Sequence, residues 1–173
     1  MSKKFVPVVL FSTLSMLSIS SSTQAQRLFF IFMHGQYAIP VDSYFYHNYN
    51  YGLGVEGGAG IGAGRTFFVA TVGYTSFSSV SNSKYGNTSF VPIKGGIRHY
   101  LPGKLLFISA DMGIAHVNNN LVNSSRFSGD IGLGVRLGPF EAMAAYDGYA
   151  RTSAENSGYS SWIGLKAGFH FGL

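Results

Sequence analysis

The chain has 173 residues, of which 11% are charged and 16% are aromatic, with 23 glycines and a formal net charge of +5. So few charges with so many aromatic side chains disfavour both a disordered chain and a soluble helical domain. The absence of cysteine excludes disulfides, thiolate zinc sites and cysteine nucleophiles. The small, dispersed basic excess gives no indication of nucleic-acid binding.

Residues 1–25 have the features of a cleavable signal peptide. Lys3 and Lys4 form a positive amino-terminal region, and the apolar stretch Phe5–Ile19 follows it. Thr23-Gln24-Ala25 then places small residues at the −3 and −1 positions of a cleavage site. An uncleaved membrane anchor is disfavoured because the apolar stretch is short and interrupted by serines, whereas a spanning helix needs about 20 apolar residues.

After the leader, segments with alternating apolar and polar side chains recur to the end of the chain. Each is close to the ~9–11 residues that a tilted strand needs to cross a bilayer. The sequence predicts one β-barrel domain over residues 26–173, an all-β fold of eight antiparallel strands in up-and-down order. The predicted strands are Leu28–Ile39, Tyr49–Gly60, Thr66–Phe77, Thr88–Tyr100, Leu105–Val117, Ser125–Leu137, Phe140–Arg151 and Ser160–Leu173.

The joins between these strands alternate between tight turns and longer polar loops. The tight turns are rich in Gly and Pro. In outer-membrane barrels the short turns face the periplasm and the longer loops face outward, and an even strand count returns both termini to the periplasm. The turns are Gly62–Arg65, Pro102–Lys104 and Gly138–Pro139, and the loops are Pro40–Asn48, Ser78–Asn87, Asn118–Ser124 and Thr152–Tyr159.

The alternation also predicts which face points inward. Ile131, Leu133 and Val135 share one face of the sixth predicted strand, whereas the other face carries Asp130 and glycines. Charged side chains are unfavourable on the lipid-facing side, because a Lys or Arg at mid-bilayer lowers the stability of a barrel by about 2–4 kcal/mol. Five acids and four bases are therefore expected to point into the lumen, alongside the glycines. There the acidic side chains should form ion pairs with the basic ones. This predicted network is Glu56, Lys94, Arg98, Asp111, Asp130, Arg136, Glu141, Asp147 and Lys166.

Aromatic side chains near the predicted strand ends suit the two membrane–water interfaces, where amphipathic rings are favoured. Tyr and Phe are equally common in soluble strands, so the pattern is supportive only. The predicted girdle residues are Tyr37, Tyr51, Phe68, Tyr74, Phe127, Phe140, Tyr146 and Trp162.

The predicted mature chain resembles the small outer-membrane barrel proteins of the OmpX and OmpA-barrel type. It looks similar to the porin-like "outer membrane protein beta-barrel domain" family of Bacteroidetes. These segments are patterns of a fold, so the resemblance implies architecture rather than activity. Such barrels often end on an aromatic residue that the assembly machinery reads, whereas this sequence ends on Leu173. The segments that carry the resemblance are Gln36–Pro40, Val91–Tyr100, Ile108–Ala115 and Ile163–Phe171.

The sequence contains only weak matches to motifs for nucleotide binding, metal binding or catalysis. Gly52–Gly57 matches G-x-G-x-x-G, but no helix pattern follows it, so strand and turn glycines are the better interpretation. None of the five histidines has the spacing of a metal site, and no cofactor or metal is expected. His34 and His170 have inward parity on the first and last strands and could hydrogen-bond to each other or to the acids. The loops contain many serines, but none is singled out as a nucleophile.

The sequence thus predicts a non-enzymatic protein of the bacterial outer membrane with a structural or surface-interaction role. A barrel of eight strands is just wide enough for its lumen to be filled by side chains. Two alternatives remain open, namely a narrow channel or binder for small apolar solutes and a lipid A-modifying enzyme. The expected partners are outer-membrane lipid and lipopolysaccharide, the barrel assembly machinery and periplasmic chaperones, with no nucleic acid.

Overall fold

The computed structural model describes residues 29–81, 83–152 and 157–172, so the predicted signal peptide lies outside the described part. Eight antiparallel strands form a closed barrel in which neighbours in the chain are neighbours in the sheet. The first and last strands pair from Phe30–Gly172 to Pro40–Trp162 and close the barrel. The elements are β1 (Phe29–Pro40), α1 (Ser43–Asn48), β2 (Tyr49–Ala63), β3 (Thr66–Ser79), β4 (Thr88–Tyr100), β5 (Leu106–Asn118), β6 (Asn123–Leu137), β7 (Phe140–Arg151) and β8 (Gly158–Gly172).

The predicted eight-stranded closed barrel is confirmed. The bounds of β4 and β7 are those predicted, and β2 runs further than predicted, to Ala63. The β2–β3 and β6–β7 turns are tight because Gly64 and Gly138 adopt φ values of +67° and +64°, which other residues rarely reach. We call the end of the barrel with these two turns and the β4–β5 turn the turn end, and the opposite end the loop end.

Side chains alternate between lumen and exterior with the period of two that a strand imposes. In β1 every second residue from Phe30 to Pro40 is buried and the others are exposed. The exposed side chains of the strands are mostly large and apolar, such as Ile131, Met112 and Phe68. In the described part of the chain, every charged side chain lies in the lumen or at a barrel end. This is the polarity of a barrel that is surrounded by lipid.

The first loop differs from the prediction, because the polar join Pro40–Asn48 contains a short helix, α1. Asp42 caps the helix by accepting a hydrogen bond from the backbone N–H of Phe45 at 3.0 Å. The same carboxylate forms an ion pair of 2.9 Å with Arg151, which ties the helix to the end of β7. The helix thereby inserts Phe45 into the loop end of the lumen, where its side chain is fully buried. Among the described residues, no helix is long and apolar enough to cross a membrane.

Glycines make room for large rings inside the barrel. Phe30 pairs across strands with Gly60, and Phe32 pairs with Gly58. A Cβ atom built on either glycine would overlap the facing phenyl ring. The same complementarity joins Gly134 to Phe107 on the other side of the barrel. The high glycine content is therefore explained in part by aromatic side chains that lie across the backbone of a neighbouring strand.

Candidate functional site in the barrel lumen

The middle of the lumen contains a continuous network of buried ion pairs. Lys94 on β4 donates hydrogen bonds to Asp130 on β6 and, at 3.3 Å, to Asp147 on β7. Lys166 on β8 lies 3.8 Å from the same Asp147 carboxylate and 2.7 Å from Glu56 on β2. Two lysines thus link three carboxylates from three strands, and all five side chains are buried. Three of these four ion pairs cross the barrel between strands that do not pair with each other, whereas Lys166–Asp147 joins the neighbouring strands β8 and β7.

Glu141 on β7 is the second centre of this network. One carboxylate oxygen accepts a hydrogen bond of 2.5 Å from Arg98. The other lies 3.2 Å from His170 Nδ1 and 3.6 Å from His34 Nε2. The second ring nitrogen of His34, Nδ1, is 3.9 Å from Glu56. His34 therefore lies between the two halves of the network, close to both carboxylates but beyond hydrogen-bond distance of each, on the inward side of β1 that its parity predicted.

Two of the nine predicted network residues are placed differently from the rest. Asp111 is buried opposite Asp130, but it forms no ion pair with the described residues. Arg136 lies only half-buried at the turn end, and its Nε donates to the Gly138 carbonyl at 3.1 Å. The prediction that Arg136 belongs to the lumen network is wrong because β6 reaches the barrel end there. Without Arg136, the five acids face three permanent cations and the two histidines.

An aromatic layer separates the network from the turn end. Phe30, Phe32 and Phe107 surround the guanidinium of Arg98 at 5.3, 4.6 and 4.4 Å from their ring centroids. Phe67 packs edge-on against Phe30 at 5.2 Å, and Tyr100 completes the layer. We call these five aromatic residues the lower layer. Cations are attracted to aromatic faces, so Arg98 joins the charged network to this layer.

A second aromatic cluster, the upper layer, fills the loop end. Its centre is Trp162, which is 0% exposed and stacks on Phe45 at 5.6 Å. The predicted interface position of Trp162 is wrong, because its parity on β8 is that of Lys166 and points inward. The other seven predicted girdle residues are exposed on the outside. The upper layer comprises Phe45, Tyr49, Phe77, Tyr85, Phe90, Tyr149 and Trp162.

Both aromatic layers lie in a lumen for which the sequence pattern predicts only glycines and charges. A signal for the lower layer was present, since Phe30 and Phe32 share the parity of His34 on β1. Phe45 had no such signal, because the loop that carries it has no strand periodicity. The lumen therefore has three levels, with a charged network between two aromatic layers.

The structure also locates the motifs considered for cofactor and metal binding. Gly52–Gly57 lies within β2, and the next element is β3 rather than a helix, so no nucleotide-binding turn is formed. Gly52 faces the ring of Phe77 in the upper layer. No group of three or more His, Asp or Glu side chains in the described ranges could hold a metal ion. The arrangement of the network is that of structural ion pairs.

The fold is similar to that of known bacterial surface proteins. The outer membrane protein Ail of Yersinia pestis, solved in a phospholipid bilayer nanodisc, matches with a TM-score of 0.57 and 12% identity over 83% of this chain and 99% of that one. The Neisserial surface protein A (NspA) matches with a TM-score of 0.57 and 13% identity over 87% and 100% of the two chains.

A crystal structure of Ail, the attachment invasion locus protein of Yersinia pestis, gives a TM-score of 0.51 at 13% identity, over 83% of this chain and 96% of that one. No protein-family model and no curated protein sequence matches the chain. At such identities the likeness shows the fold alone. The chain has the closed eight-stranded fold of the small outer-membrane β-barrels.

Proposed function

We propose that this protein is a non-enzymatic component of the bacterial outer membrane whose closed barrel presents its loop end for surface interactions. The apolar exterior and the similarity to outer-membrane barrels support the location. In this orientation the turn end and both termini face the periplasm, because short turns lie there in barrels of this kind. The expected partners are lipid and lipopolysaccharide around the belt, and the chaperones and assembly machinery that deliver and insert such barrels.

The observation that carries this proposal is the filled lumen. Trp162, Phe45 and Phe77 pack against one another at the loop end, with ring centroids 4.8–5.6 Å apart. Below them the lysine–carboxylate network occupies the middle level, and the lower layer follows. Interiors packed with side chains exclude water-filled passages. The lumen therefore favours a structural or interaction role over a channel, and its buried charges disfavour an apolar solute as a ligand.

The loop end offers a surface suited to recognition. Tyr46 on α1 is 66% exposed, and Leu121 in the β5–β6 loop is 60% exposed. The loops around them are rich in Asn, Ser and Tyr and carry few charges. Such side chains combine large contact areas with adaptable hydrogen bonds, as in antibody paratopes. These residues are the part of the molecule that we infer to contact partners outside the cell.

The enzyme alternative has weaker support. A serine-type lipid hydrolase needs a hydroxyl, an imidazole and an acid in contact at a rim. His47 at the loop end directs Nδ1 to the Ser43 carbonyl rather than to a hydroxyl. At the turn end the Thr66 hydroxyl lies 2.9 Å from His99 Nδ1, but His99 forms no ion pair with an acid among the described residues.

Surface labelling tests the location and the orientation together. The chain has no native cysteine, so a single cysteine gives an unambiguous signal. Tyr46→Cys and Arg65→Cys, at opposite ends of the barrel, are expressed in a bacterium with an outer membrane. A membrane-impermeant maleimide should label Tyr46→Cys in intact cells and Arg65→Cys only after the cells are lysed. Labelling of Arg65→Cys alone in intact cells would reverse the orientation, and equal labelling of both would contradict membrane insertion.

Conductance tests the filled lumen. The purified barrel, inserted into planar bilayers, should produce no steps of current under conditions in which a general porin produces them. Steady single-channel steps from the unmodified protein would favour the channel alternative and would contradict the proposed role.

A further inference from the structure

A small cavity opens at the turn end, below the lower layer. Its volume is about 100 Å³, and aromatic walls are supplied by Phe30 and Phe67. The polar side chains that line it are Tyr100, Lys104, Arg136 and His170, from four different elements of the barrel end. A cavity of this volume has room for several water molecules or for one small polar group. Of these polar residues only His170 belongs to the lumen network, through the Nδ1 that lies 3.2 Å from Glu141.

The electrostatics of this end favour an anion. The charged side chains of the turns and the adjoining strand end are Arg65, Lys104 and Arg136, and all three are basic. The carboxylate of Glu141 lies deeper and is already engaged by Arg98 and His170. A concave site lined by one sign of charge, with low-dielectric walls, concentrates counter-ions of the opposite sign.

Two further features indicate a binding site rather than a gap in packing. The Tyr100 hydroxyl lines the cavity on a residue that is only 3% exposed, yet it makes no hydrogen bond in good geometry with the described residues, although Arg98 lies nearby. Buried hydroxyls are normally satisfied, so this one is available to a ligand. Lys104 also adopts a φ of +56°, a backbone conformation that is unfavourable for a residue other than glycine and that recurs at functional sites.

We propose that this cavity binds a single oxyanion, namely a phosphate group that enters from the turn end. In this site Arg136 and Lys104 provide the positive charge, and the Tyr100 hydroxyl donates a hydrogen bond to a phosphate oxygen. Guanidinium and ammonium groups bind phosphate through charge-assisted hydrogen bonds. In the orientation proposed above, the phosphate comes from the periplasm, either as a free phosphate compound or as the headgroup of a periplasmic-leaflet lipid.

The test is a titration of the detergent-solubilised barrel with inorganic phosphate, with chloride added to keep the ionic strength constant. Side-chain resonances of Tyr100 and His170 report on the cavity. Saturable shifts should appear with phosphate and not with chloride. Arg136→Gln should weaken binding by roughly 10-fold or more, and Tyr100→Phe by roughly 2- to 10-fold, from the usual strengths of charged and neutral hydrogen bonds.

Arg65→Gln is the matched control, because Arg65 lies in a turn at the same end but does not line the cavity. It should change the affinity by less than about twofold, since exposed charges interact weakly. Heat-modifiable gel migration checks that each variant is folded, and Tyr100→Phe preserves the shape of the ring. An equal loss in Arg65→Gln and Arg136→Gln would show a diffuse rim effect and would overturn the proposal, as would the absence of saturable shifts in the folded wild type.

A second arm identifies the source of the phosphate. Glycerol 3-phosphate and a short-chain phosphatidylglycerol are titrated separately against the same resonances. Tighter binding of the lipid supports a headgroup, and tighter binding of glycerol 3-phosphate supports a free compound. If neither competes with inorganic phosphate for the cavity, the proposed site is wrong. The result does not depend on the orientation of the barrel in the cell, so it can fail or succeed separately from the proposed function.

Discussion

Replacing Lys94 by methionine tests whether the lumen network stabilises the barrel. Lys94 is buried between Asp130 and Asp147, and the Lys166 ammonium, 3.8 Å from Asp147, cannot replace it at Asp130. Methionine has nearly the same length but no charge, so the substitution leaves buried carboxylates without their cation. Removing one partner of a buried ion pair costs about 3–5 kcal/mol. We therefore expect the free energy of unfolding to fall by about that amount.

Urea unfolding in phospholipid vesicles measures this change, with fluorescence of Trp162 as the probe because it is the single tryptophan of the chain. With a typical slope of about 1–3 kcal/mol per molar urea, the midpoint should fall by roughly 1–5 M. The matched control is Lys104→Met, an exposed lysine, which should change stability by less than about 0.5 kcal/mol. The double variant Lys94→Met/Asp130→Asn should recover part of the loss. If both lysine variants unfold at the same urea concentration, the network does not stabilise the barrel.

Three further substitutions test the upper layer, the barrel seam and the lipid-facing belt. Phe45→Ala should destabilise the protein by about 3–5 kcal/mol, because a buried ring is lost from the upper layer. The fluorescence emission of Trp162 should shift to longer wavelength, and unchanged emission would contradict the packing of α1. Gly168→Ala should prevent heat-modifiable folding, since its Cβ would overlap Met33 and His34 across the β1–β8 seam, whereas Gly35→Ala at the same seam points outward and should fold. In vesicles, Ile131→Arg should lower the free energy of unfolding by about 2–4 kcal/mol, and Leu137→Arg, near the strand end, by about 0–1 kcal/mol. Equal losses would show that the apolar belt does not cross the bilayer as described.

The regular part of the fold could be predicted because it is local. Alternation along each strand is set by the pleat, so the sequence of β6 alone separates Ile131 and Leu133 from Asp130. Turn glycines such as Gly138 mark positions where the backbone needs a positive φ. These signals depend on residues within one strand or one turn, and they led to the strand order and to the closed barrel.

The partners within the lumen could not be predicted in the same way. Asp130 lies 36 residues from Lys94 in the chain, on a strand that does not pair with β4. Which inward residues share a level depends on the stagger between strands when the barrel closes. Parity along the strand therefore indicates that Lys94 points inward but not which carboxylate it meets. Arg136 shows the same limit, because its parity alone does not reveal that it stands at the barrel mouth.

The sequence by itself determined the number of strands, the alternation of turns and loops, and the faces that point to lipid and to the lumen. Only the tertiary structure decided that α1 folds back to bury Phe45, that Trp162 lies inside, and that an oxyanion-sized cavity remains at the turn end. The physical reason is the range of the interactions involved. The alternation of polar and apolar side chains along a strand depends on successive residues of the chain. The filling of a closed lumen depends on side chains from different strands that meet across the barrel.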